Sequence, residues 1–456
     1  MKLQFIGATG TVTGSRIRVE HKDNRLLVDC GLYQGPKEIR QKNWSDPQLG
    51  FKGCTGVLLT HAHIDHSGLL PLLVKEGFRG PIYCSEPTYD LCRLLLPDAG
   101  KLQEEDAKFL NEKRLTHFDP ALPLFTAEDA RRTLPFFEVV KDSEWIPLKN
   151  NLKFKMERSG HILGSRFIEL ANEARVLFSG DLGPPKSLLL KEPSRMTETD
   201  YLVLESTYGN RSHGAEDPEY MLADIVNRVL GRGGTLIIPS FAVGRAQEIL
   251  FLLRKLEASG LIPKFPVYVD SPMALDATKI YQHYDDEMQP EILKGIFSSP
   301  MDSVRFKAVN STDESMLLCM DDSPKIVISA AGMLNGGRVL HHLKAKLPSE
   351  KNAVLFVGYQ VTGTKGALLK NGLRNIRIHH QLVDVEAEIF SISSLSAHAD
   401  SDEIIRWCSG FRAPPKKTFL VHGEEEPRQA LAYRLRYELG WEVATPKENE
   451  EHYLGG

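Results

Sequence analysis

The sequence predicts an α/β protein with β-rich segments at both ends of the chain and a βα-alternating insert between them. Three observations carry this. The first 60 residues alternate apolar and polar side chains with a period of two, as half-buried strands do. From about residue 216, helical segments alternate with short, wholly apolar runs, the pattern of a parallel sheet covered by helices. After about residue 373 the meander pattern returns. The expected division is 1–208, 209–372 and 373–456.

Taken in order, strands are expected at 2–6, 15–20, 25–29 and 57–60. A helix follows at 67–76, and a longer one runs from 87 towards 114, with Pro97-Asp98-Ala99-Gly100 expected to interrupt it. Strands resume at 152–157, 166–170, 175–179 and 201–204. The insert reads as helix 220–230, strand 235–238, helix 245–257, strand 267–269 and helix 273–284. It continues with strand 325–329, helix 338–346 and strand 353–357. The return begins with strands 376–379 and 383–391. Helix 401–408, strand 418–421 and helix 427–439 follow, and the closing Gly455-Gly456 reads as a frayed end.

At 456 residues the chain has ample length for a buried core, and its 42% hydrophobic and 25% charged content is that of a soluble globular protein. Disordered, collagen-like and coiled-coil classes are excluded. No apolar run approaches the ~20 residues of a membrane helix, so no membrane partner is expected. The N-terminus MKLQFIGATG has glycines where a signal peptide carries an unbroken apolar stretch, so the chain is expected to be cytoplasmic. Six cysteines without a CxxC pair read as reduced, mostly buried thiols. The net charge of −4 is no footprint of a nucleic-acid binder, though a local groove can be basic within such a sum.

The strongest chemical signal is His61-Ala62-His63-Ile64-Asp65-His66, between an apolar strand and a helix. Imidazole and carboxylate suit zinc. Four ligands within six residues are too many for one ion. His61 and His63 can serve one while Asp65 and His66 serve a second. His161, in a loop between two strands, and Asp181, in Gly180-Asp181-Leu182-Gly183 just after an apolar strand, complete a site. A carboxylate at a strand end beside two glycines is placed to bridge two metals. Asp29 ends the run Leu26-Leu27-Val28; it either orients a metal-binding histidine or caps the following turn.

Asp29, His61-x-His63-x-Asp65-His66, His161 and Asp181, in that order, resemble the metallo-β-lactamase superfamily. That resemblance implies an αββα sandwich with a dinuclear zinc site at one sheet edge. Further on, Glu205-Ser206-Thr207-Tyr208-Gly209, Ala397-His398-Ala399-Asp400 and Val421-His422-Gly423-Glu424 resemble motifs A, B and C of the β-CASP nucleases. The α/β insert resembles their β-CASP domain, and the likeness covers nearly the whole chain. The pattern is similar to the endonuclease subunit of the cleavage and polyadenylation factor and its compact prokaryotic counterparts. A histidine at motif C is typical of RNA-directed members. The resemblance implies that two zinc ions bind per chain. His61, His63 and His161 would hold the first; Asp65, His66 and His422 the second; Asp181 would bridge. A bridging hydroxide would attack phosphorus, with His398 as general acid beside Glu205.

The insert offers a substrate grip. Three loops follow expected parallel strands and open helices: Ser240 to Arg245, Ser329-Ala330-Ala331-Gly332-Met333 through Arg338, and Thr362-Gly363-Thr364-Lys365-Gly366. They are either plain connections or a track for backbone phosphates. On the second reading Arg245, Ser329, Gly332, Arg338, Thr364 and Lys365 bind substrate. Basic and acidic residues are equal in number across 209–372, so any basic strip there is local.

The function expected is a zinc-dependent ribonuclease cutting single-stranded RNA internally. The alternatives are a 5′-exonuclease of ribonuclease J type, a small-ester hydrolase, and a non-catalytic RNA-binding subunit. The long insert counts against the ester hydrolase, and the filled ligand positions count against the non-catalytic subunit. A homodimer is compatible with the chain. The loop Gly7 to Gly14 has the wrong spacing for a dinucleotide motif and reads as a turn. His341-His342 and His379-His380 have no acidic or cysteine company in sequence and read as surface or packing histidines.

Overall fold

Along the strand Lys2–Phe5, burial alternates: Leu3 and Phe5 are buried while Lys2 and Gln4 are not. Such strands build two seven-stranded sheets. The first runs Glu450–Tyr453, Lys2–Phe5, Ile17–His21, Asn24–Val28, Gly56–Leu58, Ile82–Cys84, Phe137–Val139. The second runs Val443–Ala444, Lys417–Val421, Tyr201–Glu205, Arg175–Phe178, Arg166–Ala171, Lys153–Arg158, Ile146–Pro147. Their apolar faces meet in one core in which Leu3, Phe5, Val19 and Leu58 pack with Phe154, Ile168, Phe178 and Phe419. On the far side of the second sheet, Leu177, Leu202 and Leu420 pack against the helices Ser401–Cys408 and Glu425–Leu439 through Ile404, Leu431 and Leu435. Helix Glu86–Glu112 lies against Phe137–Val139 of the first sheet. The result is the αββα sandwich.

The pairing of these strands positions the site. Asn24–Val28 and Gly56–Leu58 are parallel, as are Arg175–Phe178, Tyr201–Glu205 and Lys417–Val421. Parallel register aligns the carboxyl ends within each sheet and the packing of the two sheets sets those ends together; Asp29, His61, Asp181, Glu205 and His422 all stand at or just beyond them.

The structure, a computed structural model, describes residues 1–45, 51–114, 120–214, 216–289, 292, 306–358, 360–361 and 363–455. Thr362 of the third loop and Gly456 lie outside them. The chain divides into two compact units. The first comprises Met1–Ser187, Glu192–Ser212 and His398–Gly456 and contains the sandwich. The second comprises Leu188–Lys191 and His213–Ala397. It is built on a six-stranded sheet in the order Phe306–Ala308, Val267–Asp270, Lys325–Ser329, Thr235–Pro239, Ala353–Val357, Glu388–Ile392, with every neighbouring pair parallel. Helices Val339–Lys346 and Lys365–Lys370, with the hairpin Asn375–Ile378 and Gln381–Asp384, cover one face through Leu343, Leu369, Ile376 and Ile378.

Two expectations are corrected. Helix Glu86–Glu112 continues through Pro97. A proline there forfeits one backbone hydrogen bond at about 3 kcal/mol. The buried Leu91, Leu95 and Leu96 offset it, at about 1.5–3 kcal/mol for a fully buried leucine. Gly100 belongs to the same helix; a Cβ there would stand 2.6 Å from the Thr126 carbonyl, so only glycine allows the approach. Second, the return begins at His398 and not at 373. The strand Glu388–Ile392 pairs in parallel with Ala353–Val357 and so belongs to the insert's sheet, and the hairpin before it packs on that sheet. None of the six cysteines is in a disulfide, and five are buried. No helix among the described residues is long and apolar enough to cross a membrane.

Candidate metal centre

The loop after Gly56–Leu58 delivers His61, and the short helix Ile64–Ser67 carries Asp65 and His66. Close backbone packing fixes this turn. Ser15 N donates to the Asp65 carbonyl at 2.8 Å and Cys30 N to the His66 carbonyl at 2.7 Å. A Cβ on Gly31 would lie 1.6 Å from the Asp65 oxygen, so that position has room only for glycine. The loop carrying His161 is held by the Ser165 hydroxyl, which accepts from the His161 and Ile162 amides at 3.0 and 3.2 Å. Asp29 and His422 both adopt left-handed backbone, at φ 62° and 49°. Such strain in non-glycine residues persists where surrounding structure imposes it, and it clusters at functional sites.

The side chains form two groups. In the first, His63 Nδ1 lies 3.2 Å from His61 Nε2 and 3.1 Å from His161 Nε2. In the second, His422 Nε2 lies 3.2 Å from His66 Nε2 and 3.4 Å from Asp65 Oδ2. Asp181 faces both. Its Oδ2 is 3.5 Å from His61 Nε2 and 3.3 Å from His161 Nε2. Its Oδ1 is 3.3 Å from His66 Nε2 and 3.3 Å from His422 Nδ1.

These residues fit metal ions. Two ligand atoms each about 2.0–2.1 Å from a tetrahedral zinc stand about 3.3 Å apart, which is the spacing observed. Several imidazole nitrogens point at one another without a carboxylate or carbonyl between them, and the buried Asp181 Oδ1 accepts no hydrogen bond. A buried carboxylate oxygen left this way is costly unless a cation meets it. Burial keeps His61 and His63 below the ordinary imidazole range, in the neutral form that ligates. Burial disfavours ionised Asp181, but His422, His66 and His161 overcome it and hold the carboxyl well below the usual range. Asp65 is likewise held at about 2, against burial, by the hydrogen bond from His422 and the neighbouring imidazoles.

Around these side chains stands a layer that fixes them. Asp29 Oδ2 is 2.7 Å from His66 Nδ1, while Asp29 Oδ1 accepts from the Thr60 amide at 2.8 Å and the Thr60 hydroxyl at 2.9 Å. With Nδ1 so engaged, His66 turns Nε2 to the cluster. Thr60 Oγ1 also stands 3.0 Å from His61 Nδ1, and Thr207 Oγ1 stands 3.2 Å from His422 Nδ1. Sequence reading assigned no role to either threonine, although each lies beside a motif residue.

Beside the cluster, His398 Nδ1 lies 3.0 and 3.1 Å from the two oxygens of Glu205. Glu205 is fully buried and also accepts from the Leu182 amide at 2.7 Å and the Thr207 amide at 3.3 Å. Burial pushes the His398 imidazole down, but the charge and hydrogen bond of Glu205 raise it to about 9. Glu205 thus favours the charged form of the ring.

In the second unit, the three expected loops come together at the carboxyl ends of adjacent strands. Ser240 N donates to the Ser329 carbonyl at 3.0 Å, Gln360 Nε2 to the Gly332 carbonyl at 3.2 Å and Gly366 N to the Met333 carbonyl at 3.3 Å. The expected cation strip is revised, however. Arg245 is buried and paired with Glu248. Arg338 Nη1 is 2.8 Å from Asp270 Oδ1. The Ser329 hydroxyl donates to the Asp270 carbonyl at 3.0 Å, and Thr364 caps its own helix by accepting from Ala367 N at 3.3 Å. Of the three cations, Lys365 alone has no carboxylate partner among the described residues.

An αββα sandwich with clustered histidines and carboxylates at the carboxyl ends of its parallel strands defines a metal-dependent hydrolase. The chain belongs to the β-CASP ribonuclease subfamily of the metallo-β-lactamase superfamily. Residues 24–226 match the beta-lactamase superfamily domain, 246–369 the Beta-Casp domain, and 382–446 the Zn-dependent metallo-hydrolase RNA specificity domain. The chain is 35% identical over 458 residues to "Ribonuclease TTHA0252" of Thermus thermophilus, covering 99% of both chains. It is 30% identical to "Transcription termination factor FttA" of Methanocaldococcus jannaschii, covering 93% of this chain and 67% of that one. A solved protein of unknown function from Enterococcus faecalis shares the fold at a TM-score of 0.54 and 13% identity, over 99% of each chain.

Proposed function

We propose that this protein is a ribonuclease that holds two zinc ions and hydrolyses single-stranded RNA at internal phosphodiesters. The observation that carries the reading is Asp181: one oxygen faces the His61, His63 and His161 group and the other faces the group of Asp65, His66 and His422. Bound there, two zinc ions would lower the pKa of the attacking water and neutralise the phosphate.

The chain's own residues do the rest. Asp29 and Thr60 orient His66 and His61. Glu205 holds His398 by Nδ1, which leaves Nε2–H as the donor. As the new P–O bond forms from water and the old one breaks, that proton passes to the departing oxygen, and the water's own proton leaves to solvent. A charged imidazole held by a buried carboxylate suits this role.

The test pairs metal analysis with a circular single-stranded RNA. The expected result is about two zincs per chain and cleavage of the circle. An intact circle beside degradation of the linear RNA would assign a 5′-exonuclease instead. Asp181→Ala is expected to lose at least one ion, and full zinc retention would remove Asp181 as the bridge.

A further inference from the structure

Outside the metal centre, two pairs of histidines are adjacent in sequence, and the fold separates the members of the first. His342 is buried, with Nε2 2.6 Å from Asp270 Oδ2 and Nδ1 3.3 Å from Cys319 Sγ. Its neighbour His341 points to solvent and meets the ring of His379, with centroids 4.5 Å apart.

His379 and His380 are the two residues of a hairpin turn, closed by the pair Ile378 and Gln381. Both have positive φ, 47° and 63°. Such a turn is ordinarily filled by Asn-Gly or Asp-Gly, because few side chains tolerate left-handed backbone at both positions. Here two imidazoles occupy it, both exposed. The turn thus holds both imidazoles at the surface, His379 against the ring of His341, with their N–H groups presented to solvent.

The surroundings indicate a use for them. His379 faces His341 and His380 and two cations, Lys344 and Lys365. They come from helix Val339–Lys346, helix Lys365–Lys370 and the hairpin. Those elements contain one carboxylate, Asp384, at the open end of the hairpin, where the Asn375 amide donates to it. In a chain of net charge −4, this is a concentrated cationic surface with histidine N–H donors among lysines.

We infer that His341, Lys344, Lys365, His379 and His380 form a contact surface for the phosphates of single-stranded RNA. The inference rests on the ribonuclease reading and adds an RNA-binding surface to it. Imidazole N–H groups donate to phosphate oxygens while the lysines supply charge, so recognition depends on the backbone and not on base identity.

The test uses the full chain with His398→Ala, so that RNA is bound and not cut, and a fluorescein-labelled oligouridylate as probe. The double replacement His379→Asn with His380→Gly installs the preferred turn pair. It is expected to raise thermal stability while weakening binding. A purely structural role for the histidines predicts the first effect without the second. Lys344→Glu is the independent variant. The slope of log affinity against log salt is expected to fall by about 0.7 for each phosphate that the variant no longer neutralises. Lys108→Glu, the same charge change on an exposed helix of the other unit, should leave the slope as it is.

Parental affinity and slope in both the turn variant and Lys344→Glu would overturn the inference. An equal loss in Lys108→Glu would reduce the effect to net charge and overturn it also. Tighter binding of double-stranded DNA than of RNA would overturn the choice of ligand. If the parent chain neither binds nor cleaves RNA, the ribonuclease reading fails first, and that is visible without any of these variants.

Discussion

His398 Nδ1 lies 3.0 Å from Glu205 Oε1, although 193 positions separate the two in the chain. His422 belongs to the same C-terminal segment, yet its ring faces Asp65, His66 and Asp181. Two histidines that look alike in sequence thus occupy different chemical positions.

Replacing each should separate them. His398→Ala is expected to keep both zincs and bind RNA while losing about 10²–10⁴-fold in rate. His422→Ala is expected to lose zinc and activity together, with partial recovery on added zinc. A better leaving group at the scissile bond should rescue His398→Ala alone. Zinc analysis and single-turnover cleavage read both, and zinc lost from His398→Ala but kept in His422→Ala would reverse the assignment.

The pH profile carries a second expectation. Because the His398 imidazole is raised to about 9, it is protonated at pH 7. Donation needs that proton, so activity is present below this value and falls as pH rises through it. Bound cations oppose the charged ring and move the limb towards neutrality. Glu205→Gln removes the stabilising charge and should shift it lower still. A limb of kcat/KM that stays in place in Glu205→Gln would detach it from this pair.

Asp29 is expected to act through His66. Asn is the replacement of choice, because it tolerates the left-handed backbone at φ 62° where Ala is strained. Losing such a partner typically weakens metal affinity by about 10–100-fold. Chelator competition measures this, and an unchanged affinity would leave Asp29 as a turn residue only.

Arg245 is expected to matter for stability more than for RNA. Its guanidinium and the Glu248 carboxylate are both largely shielded from water. Removing one partner of a buried pair costs about 3–5 kcal/mol, because the other charge stays behind. Arg245→Ala should therefore unfold at markedly lower denaturant, and Arg245→Met with Glu248→Leu should recover most of the loss. A single-variant cost near that of an exposed pair, about 0–1 kcal/mol, would return Arg245 to the surface strip.

Much was legible in the residues themselves. Short-range spacing singled out His61, His63, Asp65 and His66, which the structure does bring into the cluster, and the change of apolar period near 216 marked the insert. The helix through Pro97 and the late return at His398 were not legible, since burial against partners distant in sequence decided both.

The sequence by itself determined the types and order of the residues that cluster at the site and the presence of the insert, because local period and motif spacing are properties of short segments. Only the tertiary structure decided which oxygen of Asp181 faces which histidines, that Asp29 meets His66, that Arg245 and Arg338 already have carboxylate partners, and that His341 meets His379. The physical reason is strand register combined with sheet packing. Parallel pairing aligns distant strand ends within each sheet, and the face-to-face packing of the two sheets sets those ends together, so His66 and His422 come within 3.2 Å across 356 positions. No spacing within a single segment encodes that meeting.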